Sequence, residues 1–91
     1  MYAAVVWLTV DPALAPAAAA VLTDKILPEI RSSEGFARGY WLEPADGRGF
    51  AVVMFETEGQ ARAMMESTGA WTAPGVVIDQ VEVRRVAVAI P

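Results

Sequence analysis

Residues 35–65, GFARGYWLEPADGRGFAVVMFETEGQARAMM, constrain the fold of this chain more than any other stretch. They read as strand, turn, strand and helix start. Phe36, Tyr40, Trp41 and Leu42 make residues 36–43 a strand, because aromatic and bulky apolar side chains pack well on a pleated surface. Pro44-Ala45-Asp46-Gly47-Arg48-Gly49 is a turn cluster, with two glycines free to take positive φ. Residues 50–55 form a second apolar strand. Thr57-Glu58-Gly59-Gln60 then spells a capping box, in which the Thr57 hydroxyl and the Gln60 amide satisfy free backbone N–H groups.

The flanking segments complete a pattern. Residues 3–10 (AAVVWLTV) are almost continuously apolar, as expected of a strand buried on both faces. Asp11-Pro12 ends that strand. Residues 13–31 predict the first helix: Ala17 to Ala20 are strong helix formers, and Ala18 or Ala19, Leu22, Ile26 and Ile30 recur at helical spacing. Pro16 marks its first turn. Pro28 cannot donate to the Asp24 carbonyl and predicts a kink or an end to the regular helix. In the second helix Ala61, Met64 and Met65 give an apolar face, Arg62 and Glu66 fall four apart on a more polar side, and Gly69 is placed as C-cap. Residues 70–75 read as a loop carrying Trp71, and residues 76–90 as a long final strand. The order βαββαβ over residues 1–91 predicts one ferredoxin-like α+β domain, a four-stranded antiparallel sheet with two helices on one face.

Two helices cover only one face of such a sheet, and a face open to water should be polar. Here both parities are apolar. Ala4, Val6 and Leu8 lie on one side of the first strand, and Ala3, Val5 and Trp7 on the other. In the third strand Phe50, Val52 and Met54 oppose Ala51, Val53 and Phe55. Hydrophobic residues make up 55% of only 91 residues, more than a small monomer can hide. Both facts predict a homodimer that pairs sheet faces across a two-fold axis, with some apolar surface left to line a pocket.

Several function classes are excluded. The net charge is −4, and the one adjacent basic pair, Arg84-Arg85, points to opposite strand faces, so nothing resembles a nucleic-acid footprint. The chain has no Cys, no His and no Asn. Thiol chemistry, disulfides and the commonest metal ligands are absent, so no metal and no cofactor is expected. Met1-Tyr2 lacks a signal-peptide n-region, and the Ala-rich run at residues 13–22 is too short to span a bilayer. The expectation is a cytoplasmic protein without a membrane partner.

Gly35-Phe36, Gly39-Tyr40-Trp41-Leu42, the Gly-rich hairpin and Phe55-Glu56-Thr57-Glu58 resemble the dimeric α+β barrel superfamily, and within it the antibiotic-biosynthesis-monooxygenase-like domains. The resemblance extends over the whole chain. It implies sheets paired into a dimeric barrel. The group contains cofactor-independent monooxygenases of aromatic quinols, haem-degrading enzymes and members without assigned chemistry. Its haem degraders use an Asn on the first strand, a Trp ending the third and a His on the second helix. This chain lacks Asn and His, and Phe55 stands in the place of that Trp, which argues against haem degradation.

Candidate ligand-binding residues are Trp7, Arg38, Tyr40, Trp41, Phe55, Met64 and Trp71; no catalytic residue is assigned. Each has a packing role as its plainer reading: Trp7 as core or dimer contact, Tyr40 and Trp41 as strand structure, Met64 as core filler. Arg38 is the lone charge in an apolar strand, either reaching solvent from an edge or, if it points inward, holding an acidic group of a ligand. Asp79 and Glu82, three apart on a strand, are expected on opposite faces. The leading functional expectation is a small apolar or aromatic molecule bound between sheet and helices. The alternatives are a cofactor-independent monooxygenase acting on a quinol-type aromatic, and a non-catalytic structural or regulatory dimer module.

Overall fold

The computed structural model describes residues 1–67 and 73–90. β1 (Tyr2–Val10) and β3 (Arg48–Phe55) hold the centre of a four-stranded sheet; β2 (Phe36–Ala45) flanks β3 and β4 (Val76–Arg85) flanks β1. All three pairings are antiparallel. The two most continuously apolar strands thus take the positions with neighbours on both sides. The six-residue turn cluster narrows to Asp46 (φ 52°) and Gly47 (φ 75°), both left-handed as a two-residue hairpin requires. Pro44 is part of β2, an edge strand, where a missing N–H is tolerated.

Residues 12–31 run helically in four pieces. A 3-10 turn, Pro12–Leu14, starts at Asp11, whose Oδ1 accepts from Ala13 N at 2.9 Å. α1 (Ala15–Val21) follows with Pro16 in its first turn, then a π-helical turn, Leu22–Ile26, then α2 (Leu27–Arg31). The irregularity expected at Pro28 takes the form of that π turn. The Leu27 N–H bonds the Leu22 carbonyl five residues back, and the widened turn removes the need for a Pro28 donor and relieves the ring. α3 (Glu58–Glu66) opens with the expected capping box: Gln60 N donates to Thr57 Oγ1 at 3.2 Å, and Thr57 N donates to Gln60 Oε1 at 3.1 Å. Arg62 reaches back to Glu58 at 2.7 Å rather than on to Glu66, the better order along the helix dipole. Gly69 and Trp71 lie outside the described residues.

Both helical layers lie on the sheet face that carries Ala4, Val6, Ala51, Val53 and Phe55, all buried. Phe55, Ile30 and Val53 are fully enclosed and pack with Ala4, Ile26, Ala61 and Met64. Burying a side chain of this size contributes about 1.5–3 kcal/mol. The opposite face carries half-buried Val5, Trp7, Phe50, Val52 and Met54. Trp7 meets Phe50 edge-on there, ring centroids 5.4 Å apart.

Three register shifts alter simple alternation, one of them between Leu42 and Ala45, where β2 carries Glu43 and Pro44 against Gly49 alone. In β2, Phe36 pairs with Phe55 but Arg38 with Met54. The extra residue puts Phe36 on the helix side, where its ring meets Phe55 edge-on at 6.2 Å, and leaves Arg38 with Tyr40 on the uncovered face. Phe36 and Arg38 do not share a face, as strict parity had implied. In β4, Trp7 pairs with Gln80 but Leu8 with Ile78. Asp79, the bulged residue, accepts from Thr9 Oγ1 at 2.6 Å, so Asp79 joins Glu82 on the uncovered face, against expectation. They stand opposite Thr9 and Val5, well separated along β1. β4 also ends at Arg85, five residues short of the expected strand end. Its partner β1 has begun by then: Val86 N bonds the Met1 carbonyl, and beyond it no neighbour remains.

Candidate functional site

The layer between sheet and helices is not evenly filled. Beside the packed cluster lies a cavity of about 290 Å³. Its floor is Val6, Leu8 and Val10 of β1, Ala51 and Val53 of β3, and Val76 and Ile78 of β4; its roof is Ala15, Ala18, Ala19, Leu22 and Ile26. The space follows from the residue sizes. Three alanines of α1 stand over a patch of sheet that includes Gly49 and Ala51, so small faces small and neither layer supplies the atoms to close the gap. Apart from Trp41 and Phe50 the apolar walls are aliphatic, and among the described residues lining the cavity Glu43 is the one that is ionisable.

Trp41 touches both the cavity and the packed cluster. It lines the first and packs against the second. A methyl group built at Gly39 would sit 2.6 Å from Trp41 Cζ3. The indole therefore lies back over Gly39, in the room that the missing side chain leaves. This is the physical sense of the Gly39-Tyr40-Trp41 sequence.

One end of the cavity lies at the hairpin end of the sheet, beside Glu43, Pro44 and Gly49. Val10 N bonds the Gly47 carbonyl and Asp11 N bonds the Gly75 carbonyl, each at 2.8 Å. These bonds tie hairpin, first helical turn and start of β4 together. A shallower hollow of about 650 Å³ adjoins the cavity here, sharing Val10, Ala15, Glu43 and Pro44 with it and adding Thr9, Asp11, Asp46 and Arg48.

Of the residues singled out from the sequence, Trp41 lines the cavity. Trp7, Arg38 and Tyr40 are on the other face of the sheet. Arg38 is exposed, its Nη1 3.5 Å from the Tyr40 hydroxyl, so it has no access to a ligand between sheet and helices, and the acidic-ligand expectation tied to it fails. The β2 bulge between Phe36 and Arg38 is the cause. Phe55 and Met64 belong to the packed cluster and do not line the cavity. Trp71 is outside the described residues. The aliphatic and alanine lining was not foreseen, because the alanine run was taken as helix former and packing stripe and not as the roof of a cavity. Among the described residues no three acidic side chains converge as metal ligands would. No described helix is long and apolar enough to cross a membrane.

No family model matches the sequence, and no curated protein matches it. Solved structures do match in shape. A heme-degrader, MhuD, from Mycobacterium tuberculosis, solved with two hemes bound in its active site, superposes with a TM-score of 0.74 at 17% identity, covering 100% of both chains. A monooxygenase from the gene ActVA-Orf6 of Streptomyces coelicolor, solved in complex with Nanaomycin D, gives 0.66 at 19% identity over 99% of this chain and 90% of the other. The NE2512 protein of unknown function from Nitrosomonas europaea gives 0.65 at 18% identity over 99% and 92%. The chain shares the ferredoxin-like α+β fold of these three structures, the fold that its element order implied.

Proposed function

We propose that this protein binds a small apolar or aromatic molecule in the cavity between the sheet and α1. One observation carries the reading: a mostly aliphatic cavity of about 290 Å³ with Trp41 in its lining, near the lower end of the roughly 300–1,000 Å³ usual for small-molecule sites. The fold is shared with a heme-degrader solved with two hemes bound and a monooxygenase solved with Nanaomycin D bound, which supports a small-molecule ligand. Haem itself is not proposed. Phe55, in the place of the haem degraders' Trp, is enclosed in the packed cluster, and the chain has neither Asn nor His.

1,4-Naphthoquinone, a neutral planar quencher, should raise the melting temperature and quench part of the tryptophan emission. Ala18→Leu, which pushes three more carbons into the cavity, should weaken both effects about tenfold or more. Quenching that Ala18→Leu leaves intact would place the molecule elsewhere and end this reading.

The second reading is a cofactor-independent monooxygenase of a quinol-type aromatic, favoured by the likeness to the Streptomyces coelicolor enzyme. There the substrate supplies the electrons and the protein orients and deprotonates it. Among the described residues lining the cavity, Glu43 is the one candidate base. Oxygen uptake against a panel of quinols separates the two readings: uptake lost in Glu43→Gln supports the enzyme, and no uptake with any quinol supports the binding protein.

The uncovered sheet face supports a homodimer. Val5, Trp7, Phe50, Val52 and Met54 form an apolar centre, and Tyr40, Leu42 and Val77 are exposed around it. A second copy placed across a two-fold axis covers that centre with its own. Light scattering at micromolar concentration should give twice the chain mass; a monomer would contradict it.

A further inference from the structure

We infer that the cavity opens into the adjoining hollow at the hairpin end and selects neutral or cationic apolar molecules over anionic ones, because carboxylates outnumber cations along that mouth. The inference rests on the cavity reading above and adds the charge class of its ligand. Glu43 lines the cavity itself, and Asp11 and Asp46 line the hollow that adjoins it and shares Val10, Ala15, Glu43 and Pro44 with it. Against these three acids stands one base, Arg48.

None of the four is ion-paired among the described residues, where the ion pairs are Arg62 with Glu58 and Arg84 with Glu82, both elsewhere. Each acid has a structural reason for its position. Asp11 caps the 3-10 turn, Asp46 takes the left-handed turn position, and Glu43 precedes Pro44 on the edge strand. The backbone therefore fixes their charges at the mouth whatever their individual roles.

An anionic ligand has no favourable place here. Pushed inward, its charge meets apolar walls that carry no cation and few donors, so it loses hydration without compensation. Held at the mouth, it meets a surplus of negative charge, which low-dielectric walls focus into the opening. Arg38, the cation that could have reversed this, is on the other face of the sheet. A neutral ring system meets neither obstacle, and an ammonium or phenolic O–H at the mouth would find Glu43 as acceptor.

The test uses two fluorophores that share an anilinonaphthalene skeleton and differ by one sulfonate: neutral N-phenyl-1-naphthylamine and anionic 8-anilino-1-naphthalenesulfonate. At low salt the neutral probe should bind about tenfold or more tighter. The ratio should fall in about 1 M salt, where the screening length is about 3 Å, and in the double variant Glu43→Gln/Asp46→Asn, whose asparagine still accepts the left-handed turn position. Ala18→Leu should weaken the neutral probe. Equal affinities for the two probes, or a gap indifferent to both salt and the double variant, overturn the charge preference and leave the cavity reading standing. Failure of the neutral probe to bind, or binding that Ala18→Leu does not touch, overturns the cavity reading and the preference with it.

Discussion

The helix–sheet layer has two ends made from the same strands and the same helical run, yet they are filled differently. At one end Phe55, Ile30, Met64 and Ile26 close on Ala4, Val53 and Ala61, with Phe36 and Tyr2 at the margin. At the other, Ala15, Ala18 and Ala19 face Gly49 and Ala51 across open space. A large side chain in one layer set against a small one in the other gives a solid core; small against small gives a cavity. Close packing is concentrated at the first end and open space at the second, with Trp41 touching both.

Three experiments would break or sharpen this contrast. The largest effect should come from Phe55→Ala, which empties the packed end. A loss of about 3–5 kcal/mol is expected in urea unfolding, while Leu22→Ala, half-buried beside the existing cavity, should cost clearly less. Comparable losses at the two positions would mean that the ends are equally packed.

A sharper comparison makes the same change at both ends. Ala61 and Ala18 are buried helix alanines facing the sheet, 0% and 8% exposed. Ala61→Leu has no space to enter and should cost about 1–3 kcal/mol. Ala18→Leu enters the cavity and should be neutral or stabilising by up to about 2 kcal/mol, from the added apolar burial. Thermal melts of the pair decide it, and a similar fall in both would show that the cavity closes up in solution.

The smallest effect should be Gly39→Ala. Its methyl would strike the far edge of the Trp41 ring, which can tilt away, so the stability cost should be about 1 kcal/mol or less. The displaced indole should change its emission maximum and weaken quenching by naphthoquinone. An unchanged spectrum would mean that Trp41 is not held by Gly39.

Much of this architecture could be read in the chain itself. The capping box at Thr57 and Gln60, the Asp46-Gly47 turn, the stripe from Ala18 to Ile30 and the two-sided apolar strands are local signals, and each led to the right element. Two kinds of information were not local. The bulges near Arg38 and at Asp79 insert one residue against a partner strand, and nothing in either strand alone announces where alternation breaks. Arg38 was therefore weighed as a possible inward cation, and Asp79 was placed on the wrong face. The cavity was hidden for a related reason. Ala18 and Ala51 lie 33 positions apart in the sequence, and only the packing of α1 over β3 reveals that two small residues meet there.

The π turn at Leu22–Ile26 acts as a phase correction. In a regular α-helix each step of four residues overshoots a full turn by about 40°, so a stripe at 18, 22, 26 and 30 would wind about 120° round the axis. The π turn takes up one extra residue, cancelling about 100° of that drift. Ala18, Ile26 and Ile30 accordingly all end up buried, with Leu22 part-buried among them. The cavity roof and the packed core are thereby geared to one another through a single helical turn. Deleting one residue from it would let the helix relax to α and rotate one half against the other by about 100°, so that either the roof of the cavity or Ile30 would have to leave the sheet.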